Sequence, residues 1–360
     1  MRQTEPGPEG AAPDQLRLDG GLAAGRVRRE RRATLEEVAE RAGVSRATVS
    51  RVVNGQTTVA EHLRKAVEAA AADLGYVPHA AARSLVTHRT DSIALIVPES
   101  PTRVFSDDQF FPSVIRGVAT ELDTAGKLLV LMMTGSNEGR DRVEHYAIGG
   151  HVDGVMFASL HDADPLPELM MRRGVPVVCN GSLPRSSAPY IDVDHIGGVK
   201  NAVEHLVAQG RKRIATIAGP QDMSAGRARL EGYRQALAGT DRRAIMAIGD
   251  FTMQSGTDGM RQLLTDEPDL DAVFVASDLM AHGALTALRE AGRSVPGDVA
   301  VVGFDDIALA SYCDPPLTTV RQPITEIGRT LARHMLRLLE GEEVESSTIL
   351  PTELVIRESA

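Results

Sequence analysis

The sequence contains no tryptophan, few other aromatic residues and only two cysteines. Phe and Tyr together make up 3% of its 360 residues, with seven Phe and five Tyr. A cleft lined by several aromatic side chains would therefore stand out in this protein. Cys179 and Cys313 are isolated, and the ten histidines have no metal-ligand spacing. This pattern indicates neither a disulfide framework nor a zinc or other metal site, so we expect two small, buried thiols in a reducing cytosol.

Long apolar runs and catalytic motifs are also missing. No apolar stretch reaches the roughly 18 residues of a membrane-spanning helix, and no signal-peptide apolar region is present, so we expect neither membrane insertion nor export. The chain has no P-loop, no G-x-S-x-G, no H-E-x-x-H and no glycine fingerprint between a strand and a helix. These absences argue against an enzyme and against a secreted sugar-binding receptor. They predict a cytoplasmic protein that uses no cofactor.

Charge is distributed unevenly along the chain. The whole protein has 39 Lys and Arg against 49 Asp and Glu, a net charge of −10. Residues 26–89 contain 12 basic and 7 acidic residues, a net charge of +5, so the remainder carries −15. A positive patch on an otherwise acidic protein attracts phosphates to one end of the molecule. The distribution therefore favours a nucleic-acid partner for the N-terminal region.

Residues 34–54 have the pattern of a helix-turn-helix. Thr34 can cap a first helix, and Glu37 completes a capping box. Gly43 can adopt the left-handed conformation that ends this helix, and Ser45 can cap a second helix that begins at Arg46. The outward residues at the start of this second helix suit readout of a major groove. The open alternative is an ordinary three-helix bundle with a solvated charged face.

From residue 90 onward, short apolar runs alternate with amphipathic helical stretches. Buried strands are predicted at 92–97, 128–134, 154–158, 175–180, 213–218, 244–249, 272–276 and 299–305. Repeated βα units predict parallel sheets, and about 270 residues are long for one core. We therefore expect two α/β lobes.

The quoted segments resemble the LacI/GalR family of bacterial repressors. The resemblance is carried by TLEEVAERAGVS, TVSRVVN and LGYVPHAAARSL in the N-terminal region, and by VEHL, IAGP and VVGFDD further on. It implies an all-α helix-turn-helix head and an α/β, periplasmic-binding-protein-like (type I) two-lobed core with parallel sheets. It also implies that DNA contacts come from Thr34, Ser45, Arg46, Ala47, Thr48, Ser50, Arg51 and Asn54 in the head, and from Ala82 and Leu85 in a hinge.

Arg46 and Ala47 occupy the two most variable recognition positions of that family. An arginine there suits bidentate readout of a guanine, and a phosphate contact is the alternative. Leu85 is expected to wedge into the minor groove when two hinges pair, a plain linker being the alternative.

The resemblance also implies domain limits. We expect a disordered tail at 1–30, the helix-turn-helix domain at 31–77, a hinge at 78–90 and an effector-binding and dimerisation core at 91–360. Lobe 1 is expected at about 91–192 plus 322–340, and lobe 2 at about 193–321 plus 341–360. The chain should cross between the lobes near 190–194, 321–323 and 339–344.

A small-molecule site is expected in the cleft between the lobes. Arg229 and Asp305 match the ligand-gripping positions of the family, and a structural ion pair is the alternative role for them. Phe251 falls where relatives carry a stacking aromatic, although each phenylalanine could instead be core. The other candidates follow strands or open helices, and they are Asp108, Phe110, Phe111, His161, Asp162, Ser277 and Asp278.

The prediction is a repressor that binds a pseudo-palindromic operator as a homodimer and is released by a small carbohydrate. The segments LHDADPLP, AGPQDM, GDFT and ASDLM resemble actinobacterial repressors that respond to cellobiose or other β-glucan fragments. Ser277 stands where many sugar-binding relatives carry an amide or an acid. The alternatives are a corepressor-dependent regulator that responds to a non-sugar metabolite and a cytoplasmic sugar-binding protein without a repressor role.

Overall fold

The computed structural model of the protein describes residues 33–53, 59–76, 89–105 and 108–360. The chain separates into two compact units, residues 1–82 and 83–360. The predicted tail lies outside the described residues, as do residues 78–88 of the predicted hinge. Three residues predicted to contact DNA also fall outside them, namely Asn54, Ala82 and Leu85.

In its described residues, the first unit contains three helices, α1 (Leu35–Ala42), α2 (Arg46–Val53) and α3 (Glu61–Asp73). The hydroxyl of Thr34 accepts from the backbone N–H of Glu37 at 3.3 Å, and the Glu37 carboxylate accepts from the N–H of Thr34 at 2.7 Å. This is the predicted capping box. Gly43 follows α1 with φ of 66°, a conformation that strains residues with a Cβ. The short left-handed turn therefore sends α2 across α1.

A small apolar core holds the three helices together. Val38 and Val49 are fully buried, and Val67 of α3 packs with them. Arg41 forms an ion pair with Asp73 at 3.1 Å, which joins α1 to α3 at the surface. The valines of α2 face this core, so its polar residues are left on the outer face.

The second unit alternates strands and helices. In chain order the elements are β1 (Ser92–Val97), α4 (Pro101–Val104), α5 (Phe110–Thr124), β2 (Leu128–Met133), α6 (Asn137–Ile148), β3 (Gly154–Phe157), α7 (Leu166–Arg172), β4 (Val177–Asn180), β5 (Tyr190–Val193), α8 (His195–Ala208), β6 (Ile214–Ala218), α9 (Ser224–Leu237), β7 (Ile245–Ile248), α10 (Met253–Asp266), β8 (Ala272–Val275), α11 (Asp278–Glu290), β9 (Ala300–Asp305), α12 (Ala308–Tyr312), β10 (Thr318–Arg321), α13 (Ile324–Leu339), β11 (Ser347–Leu350) and β12 (Glu353–Val355).

Two six-stranded sheets define the two lobes. The sheet of lobe 1 has the order β11-β5-β4-β3-β1-β2, and all its pairs are parallel. The sheet of lobe 2 has the order β12-β10-β9-β8-β6-β7, in which only β12 is antiparallel to its neighbour. The central strands β3, β6, β8 and β9 are buried along their whole length. This confirms the predicted α/β core with two lobes and parallel sheets.

The chain passes between the sheets three times. It passes at Asp194, between β5 and α8, and at 322–323, between β10 and α13. The third passage lies at 351–352, between β11 and β12, so the expected position near 339–344 and the assignment of all of 341–360 to lobe 2 are wrong. The reason is strand pairing, because residues 347–350 pair in parallel with β5 of lobe 1.

Candidate functional site

A partly open cavity lies between the two lobes, at the carboxyl ends of several strands, and contains about 780 Å³ of empty space when the solvent at its mouth is included. Parallel α/β sheets commonly bind ligands at this edge, because loops of independent sequence converge there. The lining residues come from both lobes and from the second passage. They are Arg103, Asp108, Phe110, Phe111, Ser159, Leu160, Asn180, Gly181, Asp192, His195, Met223, Ser224, Ala225, Arg229, Phe251, Ser277, Leu279, Asp305, Ile307 and Gln322.

Arg229 of α9 is the central cation of this cavity and is 4% exposed. Its Nη1 donates to the carbonyl of Ala276, and its Nη2 lies 3.4 Å from Oδ1 of Asp305. Its guanidinium also lies over the ring of Phe304, with Cζ 3.8 Å from the ring centroid. A cation that is stacked and hydrogen-bonded on several sides is held in one orientation before any ligand arrives.

Asp305 combines the two roles considered for it. It forms the ion pair with Arg229 and also lines the cavity. Gln322 donates to its Oδ1 at 2.6 Å. Burial raises the pKa of Asp305 to about 7, although the charge of Arg229 lowers it. The structural and the ligand-gripping role are therefore compatible at this residue.

The cavity wall from lobe 1 combines a carboxyl group with aromatic rings. Asp108 precedes α5, and its Oδ1 accepts from the N–H of Phe110 at 2.9 Å. Burial raises the pKa of Asp108 above its ordinary value. The rings of Phe110 and Phe111 pack edge to face, with centroids 5.5 Å apart. Phe251 approaches from lobe 2, with its ring 5.5 Å from Cζ of Arg229. Three phenylalanines thus line one cavity in a protein that has seven.

The backbone is strained at the same place. Among the residues that the structure describes, five non-glycine residues have positive φ. Three of the five line the cavity, namely Ser159 (φ 61°), Phe251 (φ 68°) and Asp305 (φ 116°). Such conformations persist where the surrounding structure fixes them, and they concentrate at ligand sites.

Taken together, these groups suit a polyhydroxylated ring. Carboxylates accept from hydroxyl groups, and the guanidinium of Arg229 and the amide of Asn180 can donate to them. Aromatic faces can cover the apolar side of a sugar ring.

Seven of the ten predicted cleft residues line the cavity. The prediction for Asp278 is corrected, because this residue is fully buried and does not line the cavity. Its carboxylate accepts from the N–H of Ile307 at 3.0 Å and from the hydroxyl of Thr319 at 2.5 Å. Burial raises the pKa of Asp278 well above its ordinary value, and the charge of Asp305 raises it further. These partners give it a structural role that joins three strand ends.

His161 and Asp162 are the other corrections, because they contact the opposite lobe and do not line the cavity. Nδ1 of His161 lies 2.7 Å from Oδ2 of Asp222. Both guanidinium ends of Arg227 contact the carboxylate of Asp162, one of them at 3.0 Å. The two residues follow β3 in lobe 1, and their partners flank the start of α9 in lobe 2. We call these two pairs the lobe latch.

Seven polar cavity residues were missed by the sequence reasoning. They are Arg103, Ser159, Asn180, Asp192, His195, Ser224 and Gln322. One signal was available for some of them, because Asp192 and Gln322 lie within the passages expected near 190–194 and 321–323, and His195 follows the first directly. A passage between the lobes lies beside the cleft, and its polar side chains are therefore candidates for lining the cavity.

The outer face of α2 is the candidate nucleic-acid interface. Arg46, Ala47 and Arg51 are exposed, and the Arg46 side chain is 72% exposed. Its Nε lies 3.1 Å from Oε1 of Glu36, a surface pair that contributes little and can open for a new partner. The hydroxyl of Ser45 accepts a hydrogen bond from the N–H of Thr48 at 3.1 Å, so these two residues also stabilise the start of α2.

Thr34 serves the capping box described above, and Ser50 is half buried on α2. The structure thus places the described candidates of the head on α2 or directly before it, apart from Thr34, which caps α1. Their contacts with DNA stay a prediction.

Within residues 33–53, 59–76, 89–105 and 108–360, no cluster of three or more His, Cys, Asp or Glu could hold a metal ion. Within the same ranges, no helix is long and apolar enough to cross a membrane. Cys179 and Cys313 are buried and unbridged, and burial raises the pKa of the Cys179 thiol to about 12. This confirms the expectation for the two thiols.

Comparison with known proteins gives consistent results. Residues 34–79 match the bacterial regulatory proteins of the lacI family, and residues 203–360 match the periplasmic binding protein-like domain. The HTH-type transcriptional regulator CelR of Thermobifida fusca is 47% identical over 340 residues, which are 92% of this chain and 100% of CelR.

Two solved structures of regulators are similar over most of the chain. A transcriptional regulator CelR–cellobiose complex is 45% identical with a TM-score of 0.73, covering 91% of this chain and 100% of that one. The lac repressor dimer bound to operator and the anti-inducer ONPF is 32% identical with a TM-score of 0.79, covering 91% of this chain and 99% of that one.

Proposed function

Because the chain belongs to the LacI family of bacterial regulatory proteins, we propose that it is a transcriptional repressor whose grip on operator DNA is released by a disaccharide such as cellobiose. The observation that carries the proposal is the cavity between the lobes, where Arg229 and Asp305 face three phenylalanine side chains. The similarity to a regulator solved with cellobiose supports the choice of a β-linked glucose disaccharide.

The head supplies the DNA-binding part of this function. Helix α2 is proposed to lie in the major groove, with Arg46 reading a guanine and Ala47 offering only a methyl group. Each head reads one half-site, so a homodimer requires a pseudo-palindromic operator. The similarity to the lac repressor dimer on its operator supports this arrangement.

Release follows from differential binding. A ligand shifts the equilibrium between the DNA-bound and the free form only by its preference for one of them, typically about 1–3 kcal/mol. Closure of the lobes around the sugar is the motion that would carry this preference to the paired heads. The lobe latch is placed to respond to that motion, because it joins the two lobes beside the cavity.

We further propose that the protein works without enzymatic turnover, without a cofactor and in the cytoplasm, where operator DNA is found. The similarity to transcriptional regulators supports this view. Chromatography of the sugar after prolonged incubation with the protein should return it unchanged. A new product would refute the assignment.

The deciding experiment is a mobility-shift assay on an inverted-repeat duplex with a panel of sugars. We expect cellobiose or another short β-glucan to release the protein at lower concentration than glucose or maltose does. A set of nucleosides and purines forms the second arm of the panel. Tighter DNA binding in that arm, with no effect of any sugar, would replace the proposal by a corepressor-dependent regulator of non-sugar metabolism.

A further inference from the structure

The half-buried Asp192 and the buried His195 and Arg229 form a chain of hydrogen bonds across the first passage between the lobes. Asp192 lies on β5 of lobe 1, and His195 is the first residue of α8 in lobe 2. Nε2 of His195 lies 2.8 Å from Oδ1 of Asp192. On its other side, Nε of Arg229 donates to Nδ1 of His195 at 3.3 Å. All three residues line the cavity.

The hydrogen bonds determine which nitrogen of His195 carries the proton. The Nε–H of Arg229 can only donate, so Nδ1 must act as an acceptor. The proton of a neutral imidazole then lies on Nε2, where Asp192 accepts it. An imidazole between a donor and a carboxylate thus has one tautomer and one ring orientation.

Protonation of His195 would break this arrangement. A proton on Nδ1 would point at the Nε–H of Arg229 and add a second positive charge beside the guanidinium. Burial lowers the pKa of His195, and the charge of Arg229 lowers it further, while Asp192 and Asp194 raise it. The ring of Phe304 covers another side of the imidazole, with centroids 5.6 Å apart. His195 is therefore neutral at neutral pH.

The same chain connects the two lobes. Only Val193 and Asp194 separate Asp192 from His195, and Asp194 is the point where the chain leaves lobe 1. A rotation about this passage changes the distance between Asp192 and His195. It thereby changes the hydrogen bond between Nδ1 of His195 and Nε of Arg229.

We propose that His195 is a positioning residue for Arg229, and that Asp192 fixes its tautomer so that the grip on the effector depends on the relative position of the lobes. This inference rests on the proposed function, since it assumes that Arg229 binds the effector. His195 then acts through Arg229 and determines affinity without providing the principal ligand contact.

Calorimetric titration of the full-length protein with cellobiose tests the proposal through two substitutions. His195→Asn keeps an acceptor at the position of Nδ1, because the amide oxygen of Asn is bonded to Cγ, as Nδ1 of His is. His195→Gln places its amide near the position of Nε2 and leaves Nε–H of Arg229 without that acceptor. We expect a loss of affinity within about threefold for the Asn variant and about tenfold or more for the Gln variant. Equal affinity of the Gln variant and the native protein would overturn the proposal.

The pH profile separates positioning from a general structural role. We expect the affinity of the native protein for the sugar to fall in two parts as the pH is lowered. One part falls near pH 7, where Asp305 gains a proton, and the other falls below about 6.5, the ordinary pKa of histidine, because burial lowers the pKa of His195. The Asn variant should keep the first part and lack the second. His205→Gln is the matched control for His195→Gln, since it replaces another histidine of α8, outside the cavity, by the same residue. It should keep both the affinity and the profile of the native protein.

A readout without sugar distinguishes failure of this inference from failure of the proposed function. Nitrogen NMR of histidine-labelled protein, with His195 assigned by its loss in the Asn variant, should show a neutral ring protonated on Nε2 at pH 7. A ring protonated on Nδ1, or a charged ring, would overturn the inference. If the spectrum is as expected but no sugar binds the native protein, the proposed function fails while the role of His195 in orienting Arg229 stands.

Discussion

The head and the cleft place their functional residues in opposite ways. The described head candidates lie within 34–51, all but Thr34 on α2 or directly before it, and the arginines among them are exposed. The cavity draws its residues from positions between 103 and 322, and its central cation is 4% exposed. A surface that reads DNA needs one rigid helix with free side chains. A site that encloses a small molecule needs groups from many strand ends, each held by its neighbours.

The largest effect is expected in the cleft. Arg229→Ala removes the central cation and leaves Asp305 buried without its ion-pair partner, so affinity for the sugar should fall by about 100-fold or more. Operator binding without sugar should persist, because the head folds around its own core. A mobility-shift assay with increasing cellobiose measures both properties.

The exposed Arg234 provides the matched control for this substitution. It lies on the same helix α9, so Arg234→Ala should be released by sugar like the native protein. Circular dichroism of both variants checks that the core is folded. Normal release of the Arg229 variant would remove this residue from the effector site.

The head should respond differently, with a change in specificity at nearly constant general affinity. Arg46→Ala should reduce discrimination at one base pair by about tenfold, since a bidentate contact with guanine accounts for roughly 1–3 kcal/mol. Binding to a library of operators with single-base changes measures the effect. The control is Arg41→Ala, which lies on α1 and pairs with Asp73. A uniform loss on all duplexes would show that Arg46 contacts a phosphate.

A smaller effect is expected at the lobe latch. Arg227→Met removes the paired contact with Asp162 but keeps most of the apolar length of the side chain. Both side chains are about one-third exposed, so the loss in sugar affinity should be only about three- to tenfold. A double-mutant cycle with Asp162→Asn isolates the pair. Additive effects of the two substitutions would show that the pair does not couple the lobes.

The smallest effect is the pH dependence of core stability. The carboxylate of Glu99, 3.8 Å from Nε2, and that of Asp222, bonded to Nδ1, raise the pKa of His161 to about 9, although its burial opposes the rise. Because this pKa is raised in the folded protein, protonation of His161 stabilises the fold. The stabilisation is complete below about pH 6.5, the ordinary pKa of histidine, and it is lost as the pH rises through about 9. The melting temperature should therefore decline between these values.

His161→Gln should flatten that part of the stability profile. His145→Gln replaces an exposed histidine of α6 in the same lobe and should leave the profile unchanged. An unchanged decline in the His161 variant would assign the pH dependence to other groups.

Much of the fold could be predicted from local patterns. The eight predicted strands are present within a residue or two, because strands covered on both faces are almost continuously apolar. The predicted burial is wrong for β2 and β7, which are only partly buried because they lie at the edges of the sheets. The strands β5, β10, β11 and β12 were missed. Each has only three or four residues, and polar side chains such as Asp192, Arg321 and Glu353 interrupt its pattern. These strands pair with strands far away in the sequence, which no local pattern encodes. The third passage therefore lies at 351–352 and not near 339–344.

The cleft was predictable only in part, for a related reason. Arg229, Asp305 and Phe251 were named because they match positions of a known family, and Phe110 and Phe111 because their segment follows the first strand and opens a helix. His161, Asp162 and Asp278 were misplaced, since a polar residue after a strand can face the cavity, the other lobe or the interior. Which of these occurs depends on partners such as Asp222, Arg227 and Thr319 that lie far away in the chain.

By itself, the sequence determined the helix-turn-helix and the alternation of strands and helices, because capping, turn geometry and hydrophobic periodicity act over a few residues. The tertiary structure alone decided where the chain passes between the lobes and which polar groups meet at the first passage. The bond between His195 and Arg229 joins residues 34 positions apart. Such contacts depend on sheet pairing and burial, which act between distant parts of the chain.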